Sequence, residues 1–149
     1  MPVLILDDGR RLYDSRVILE YLDEQSGGNI LLPVQSRARF EALTYQALGD
    51  GIMDAALLVV YEARDRPQHL WHEPWLDYQR GKILRGLAAL ADNAPDPHRF
   101  DVGTISLSCM LGYLDWRRQV EWRAARPALV EWLEVFRKNN AEFDQTAAP

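Results

Sequence analysis

Two apolar, β-prone runs open the chain, Val3-Leu4-Ile5-Leu6 and Arg11-Leu12-Tyr13, and Asp8-Gly9 stands between them. That arrangement predicts a β-hairpin, because Gly accepts the positive φ that a tight turn requires. Two strands alone are marginal in water, so the hairpin needs more sheet or a covering helix layer. The chain supplies helices and no further strands. Val17, Ile18, Tyr21 and Leu22 then recur at helical spacing while Arg16, Glu20, Asp23 and Glu24 take the other face, which predicts an amphipathic helix of about three turns. Ser26-Gly27-Gly28-Asn29 ends it, and Leu31-Leu32-Pro33-Val34-Gln35 is expected to run extended, since Pro disfavours the α conformation in the residue before it. A break between two structural units is expected in this linker.

From Ser36 the pattern is helical almost to the end. Ser36 is a candidate N-cap for a long helix with Phe40, Leu43, Ala47, Leu48, Ile52, Ala55 and Val59 on one face, bent around Asp50 by Gly49 and Gly51. Arg66-Pro67 ends it. Glu73-Pro74 opens a second helix that turns Leu76, Ile83, Leu84, Leu87 and Leu90 inward, and Pro95-Asp96-Pro97 is the next break. Asp101 is a candidate N-cap for Val102 to Leu114, a run without charge that predicts the central helix of a bundle. Pro127 opens a last amphipathic helix with Leu129, Val130, Trp132, Leu133 and Phe136, and Gln145 to Pro149 is small and polar enough to fray.

Bulk properties narrow the function classes. A chain of 149 residues, 48% apolar and 26% charged, has room for one domain, or one and a fraction, with a sizeable core. Its net charge of −5 argues against nucleic acid or an anionic membrane as the main partner. The longest charge-free run has the length of a core helix, so no membrane span is expected, and no basic stretch leads into an apolar one as in a signal peptide. The single cysteine, Cys109, excludes an internal disulfide framework and fits a reducing, cytoplasmic location.

Several residues could carry chemistry. Asp14-Ser15 falls where the second strand hands over to a helix, so the pair either caps that helix or, with its free first-turn amides, holds a carboxylate. Asp50 and Asp54, one turn apart, share a face, and Asp50 could receive a ligand's ammonium group. His69, His72 and Glu73 lie close together but lack the further ligands of a metal site, so no metal is expected. Cys109 reads as an inert core thiol, and Ser106 and Ser108 as hydroxyls bonded back to helix carbonyls. Tyr113, Trp116 and Trp122 with Arg117, Arg118 and Arg123 read as aromatic packing under arginines at the bundle edge.

Taken together, Pro2-Val3-Leu4 with the hairpin and Tyr13-Asp14-Ser15-Arg16-Val17-Ile18-Leu19-Glu20-Tyr21-Leu22 resembles the second half of the thioredoxin-like domain of glutathione S-transferases, small bacterial members in particular. Leu48-Gly49-Asp50-Gly51-Ile52-Met53-Asp54-Ala55-Ala56, the stretch from Glu73 to Lys82 and Arg126-Pro127-Ala128-Leu129 extend the resemblance over essentially the whole chain. It implies a mainly α fold. Residues 1–27 would be a partial thioredoxin-like, glutathione-binding domain, 28–35 a linker, 36–145 an all-helical domain and 146–149 a tail. Pro2 would be a cis proline, the Met1 backbone would pair with the cysteinyl unit of glutathione, and Asp14 and Ser15 would hold its γ-glutamyl end. Asp50 would meet the γ-glutamyl ammonium from a partner subunit, and Met53, Leu57 and Tyr113 would line a second-substrate pocket.

The resemblance implies conjugation of the glutathione thiolate to small electrophiles, or glutathione-dependent isomerisation or dehalogenation. The alternative is a non-catalytic helical binding module. Two departures stand out. The family's first strand, first helix and second strand have no counterpart here, which implies a truncated chain without the Ser, Tyr or Cys that activates the thiol. The exposed apolar strand then implies a homodimer or higher oligomer. The second departure is at the central helix, where Asp101 and Thr104 replace a Ser or Thr followed by Asp, so the reciprocal cap is expected to be altered.

Overall fold

Residues 2–146 are described by a computed structural model; Met1, the Met1–Pro2 bond and the last three residues of the tail lie outside the described residues. β1 (Leu4–Ile5) and β2 (Arg11–Leu12) pair antiparallel, with Leu4 opposite Leu12 and Ile5 opposite Arg11. Gly9 turns the chain at φ 83°, and its amide donates to the Leu6 carbonyl at 2.9 Å. Asp8 Oδ1 accepts from the Arg10 amide at 2.9 Å and holds the turn shut.

Helix α1 (Ser15–Gln25) starts at Asp14, whose carboxylate accepts from the Arg16 amide at 3.1 Å. It ends where Gly27 and Gly28 take φ of 102° and 74°. The chain reverses there and crosses back over the helix face that carries Asp23. This overturns the expected solvent position of Asp23, which is only 5% exposed. Its carboxylate accepts from the amides of Ile30 at 3.0 Å, Leu31 at 2.6 Å and Leu32 at 3.4 Å. Burial pushes the Asp23 carboxyl up, but the amides of Leu31, Ile30 and Leu32 outweigh it, and the net pKa lies below the ordinary value. Val17 and Leu22, by contrast, stay exposed.

A helical bundle follows. It comprises α2 (Ser36–Asp65), α3 (Glu73–Asp92), α4 (Val102–Arg117), α5 (Pro127–Asn139) and α6 (Glu142–Gln145), with a 3₁₀ turn at Gln68–Leu70. α2 packs against α4 and α3, and α5 closes the other side. Ile52, Ala55 and Ala56 from α2 meet Ile83, Leu87 and Leu90 from α3, Leu107, Met110, Leu111 and Leu114 from α4, and Leu129, Trp132, Leu133 and Phe136 from α5. α4 is central, as its lack of charge predicts. A second small cluster, Leu32, Ala42 and Val102 with Leu19, Leu31 and Leu43, fastens α1 and the linker to the bundle.

Several expectations fail in detail. Gln35, not Ser36, is the N-cap of α2, and its side chain makes no capping hydrogen bond among the described residues. On α2, Phe40 and Ala47 are exposed while Ala42 and Gln46 are buried, because α4 and the linker approach from a different side; Leu84 on α3 is exposed as well. Gly49 lies at a close approach of α2 to α4: a Cβ there would be 2.5 Å from Ser106 Oγ. The cap of α4 is reciprocal after all, with the roles exchanged. Asp101 Oδ1 accepts from the amides of Gly103 and Thr104, and Thr104 Oγ1 accepts from the Asp101 amide at 3.1 Å. By length and composition α2 could also cross a membrane, contrary to expectation, but Ala42, Ile52, Ala55, Ala56 and Val59 are buried in the bundle.

Candidate functional site

The start of α1 and the middle of α2 face each other across an open cleft of about 360 Å³. Pro2, Asp14, Ser15 and Arg16 form one wall; Asp50, Met53 and Asp54 form the other. Sequence positions far apart are joined here by one ion pair, in which Arg16 Nε donates to Asp50 Oδ2 at 2.7 Å. Asp50 Oδ1 accepts from Ser106 Oγ at 3.0 Å, which ties the same carboxylate to α4. The ion pair raises the Arg16 pKa further above its ordinary value, first through the hydrogen bond and then through the charge of Asp50.

The cleft has the character of an anion and ammonium site at once. Asp14 takes the Arg16 amide, and the Ser15 and Val17 amides have no acceptor among the described residues, so the N-terminus of α1 can hold a carboxylate. Across from it, Asp50 has four lone-pair sites, of which Arg16 and Ser106 use two. An ammonium group could be added without breaking either bond. Asp54 is exposed on the same wall.

Among the expected site residues, Pro2, Asp14, Ser15, Asp50 and Met53 converge on this cleft. Leu57 is half-buried one turn beyond Met53 and lines neither this cleft nor the cavity that contains Tyr113. Tyr113 lies elsewhere, in that cavity between α4, α5 and α6. Met1 is outside the described residues. Cys109 overturns its core reading: it is exposed on α4. The protein bulk around it raises its thiol pKa, and the Asp50 charge adds to this, so it is a poor nucleophile near neutrality. Ser108 bonds back to the Ile105 carbonyl at 2.9 Å as expected, but Ser106 reaches across to α2. No group of three or more metal-ligating side chains converges among the described residues.

Sequence reasoning missed Arg16 and Ser106 as partners of Asp50. A signal existed: a carboxylate within an apolar helix and a hydroxyl within a charge-free one each need a partner across an interface.

Comparison with known proteins now defines the class. Residues 1–29 match the family model described as the glutathione S-transferase N-terminal domain. An uncharacterized GST-like protein of Escherichia coli (strain K12), YibF, is 34% identical over 139 residues, which span 90% of this chain and 68% of that protein. The fold superposes with a TM-score of 0.92 on a glutathione transferase family member from Pseudomonas fluorescens Pf-5 with bound glutathione, at 46% identity over 100% of this chain and 74% of that one. A glutathione S-transferase from Methylobacillus flagellatus KT with glutathione bound gives a TM-score of 0.88 at 36% identity, over 100% of this chain and 76% of that one. The chain belongs to the glutathione S-transferase family.

Proposed function

We propose that the chain binds glutathione in the cleft between α1 and α2, as part of a transferase that joins the glutathione thiolate to small electrophiles. The observation that carries this reading is the meeting of the α1 N-terminus at Asp14-Ser15 with Asp50 across one cleft. The γ-glutamyl end of glutathione carries both a carboxylate and an ammonium, and the two walls offer the matching charges. Relatives solved with glutathione bound support the same ligand. In this reading residues 1–27 are the glutathione-binding unit, 36–145 the helical unit, and Met53 and Leu57 lie on the side of the second substrate.

Calorimetric titration with glutathione tests it. Saturable binding is expected, weakened about tenfold in Ser15→Ala by loss of one hydrogen bond to a charged group. No binding to the folded chain overturns the reading. A second reading, binding without turnover, draws on the cleft itself. Among the described residues lining it there is no Tyr or Cys, and the only hydroxyl is that of Ser15. Binding without conjugation of 1-chloro-2,4-dinitrobenzene would select it. We further propose self-association through the hairpin, where Val3 is 51% and Ile5 66% exposed beside a strand edge that has no partner among the described residues.

A further inference from the structure

The γ-glutamyl unit of glutathione carries its ammonium and its carboxylate on one carbon atom, so the groups that hold the two charges must stand side by side. A single chain already places such groups together. Asp14, Ser15 and Arg16 at the start of α1 and Asp50 on α2 line the same cleft. Arg16 spans it: its amide donates to Asp14 Oδ1 at 3.1 Å, and its Nε donates to Asp50 Oδ2 at 2.7 Å. The Asp50 carboxylate therefore lies one arginine side chain away from the first turn of α1.

Asp50 is also held from the side of α4. Ser106 Oγ meets Asp50 Oδ1 at 3.0 Å and the Gln46 carbonyl, one turn earlier on α2, at 3.3 Å. Each oxygen of the carboxylate is thus bound within its own chain. Swinging the side chain out toward another molecule would break two hydrogen bonds to a charged group, the stronger kind. The Asp50 side chain keeps 21% of its surface exposed, and it lines the cleft together with Asp14 and Ser15. Val3 and Ile5, the exposed apolar residues of the hairpin, line no part of this cleft, so association through them is not what builds it.

We propose that Asp50 receives the γ-glutamyl ammonium of the glutathione bound by its own chain, in place of the expected supply of Asp50 from a partner subunit. The γ-glutamyl subsite is then built from one chain, whatever the oligomeric state. This rests on the glutathione reading, and the two can be told apart by experiment.

The test is to co-express Ser15→Ala carrying one affinity tag with Asp50→Asn carrying another, and to titrate the material retained on both tags with glutathione beside the parent. Such material contains both variants. If each chain supplies its own Asp50, every site carries one substitution, and all sites are expected to bind about tenfold more weakly than the parent. If a partner supplied it, about half of the sites in a two-chain assembly would be intact and the rest doubly altered, so a fraction with parent affinity would overturn the proposal. Where no material is retained on both tags and sedimentation shows a single chain, a tenfold loss in Asp50→Asn supports the proposal directly and an unchanged affinity overturns it. Asp50→Ser takes the place of Asp50→Asn if the melting curve shows that variant unfolded. A parent that does not bind glutathione removes the glutathione reading and this inference with it. A parent that binds, with intact sites in the mixed species, removes this inference alone.

Discussion

Arg16 and Asp50 meet at 2.7 Å across 34 residues of sequence, and Ser106 joins the same carboxylate from α4. The start of α1, the middle of α2 and the central helix are thereby fixed to one another at the wall of the cleft. The pair is half open to water, with Arg16 53% and Asp50 21% exposed, so its own contribution to stability is small, below about 1 kcal/mol. Its importance is in position.

Asp50→Asn should therefore melt within a few degrees of the parent, because little stability resides in the pair. Glutathione affinity should fall about tenfold, as the charge offered to a ligand ammonium is lost. Parallel melting and titration check both halves. An unchanged affinity would remove Asp50 from the site.

Asp23→Asn should lower stability by about 1–3 kcal/mol, since an amide cannot accept from three backbone N–H groups as the carboxylate does. The pH dependence has a definite sign. The folded pKa of Asp23 is depressed, so its contribution is full above the ordinary Asp pKa and disappears as pH falls through the folded value. Denaturation midpoints of parent and variant should accordingly converge in acid. A constant gap down to that range would show that the carboxylate charge is not involved.

Gly49→Ala should cost about 1–3 kcal/mol, because the new Cβ would meet Ser106 Oγ at 2.5 Å and the Ser106 backbone at 3.1 Å. Adding Ser106→Ala removes the nearer clash and should recover part of the loss. Chemical denaturation of the single and double variants measures the coupling.

Ile5→Lys should abolish association if the hairpin edge is the contact, since a lysine on an exposed edge strand opposes further pairing. Sedimentation should then report a monomer for the variant and a larger species for the parent. The same mass for both would place any contact elsewhere.

Much of the fold was legible locally. Asp8-Gly9 specified the hairpin, Gly27-Gly28 the stop of α1, Pro74 and Pro127 the helix starts, and the uncharged run after Asp101 the central helix, because each depends on backbone preferences or on the periodicity of its own segment. The pairing of Asp14 with the first turn of α1 was of the same kind. What the tertiary structure alone decided were the positions where two segments compete for one face. Asp23 lay on a polar helical face until the reversed chain covered it, and Phe40 and Ala47 lost their inward places to Ala42 and Gln46. Asp50 and Ser106 each signalled the need for a partner across an interface, but nothing local said which one. Only packing of α1, α2 and α4 brings Arg16, Asp50 and Ser106 together, since a charge pair across 34 residues is governed by distance in space and leaves no period in the sequence.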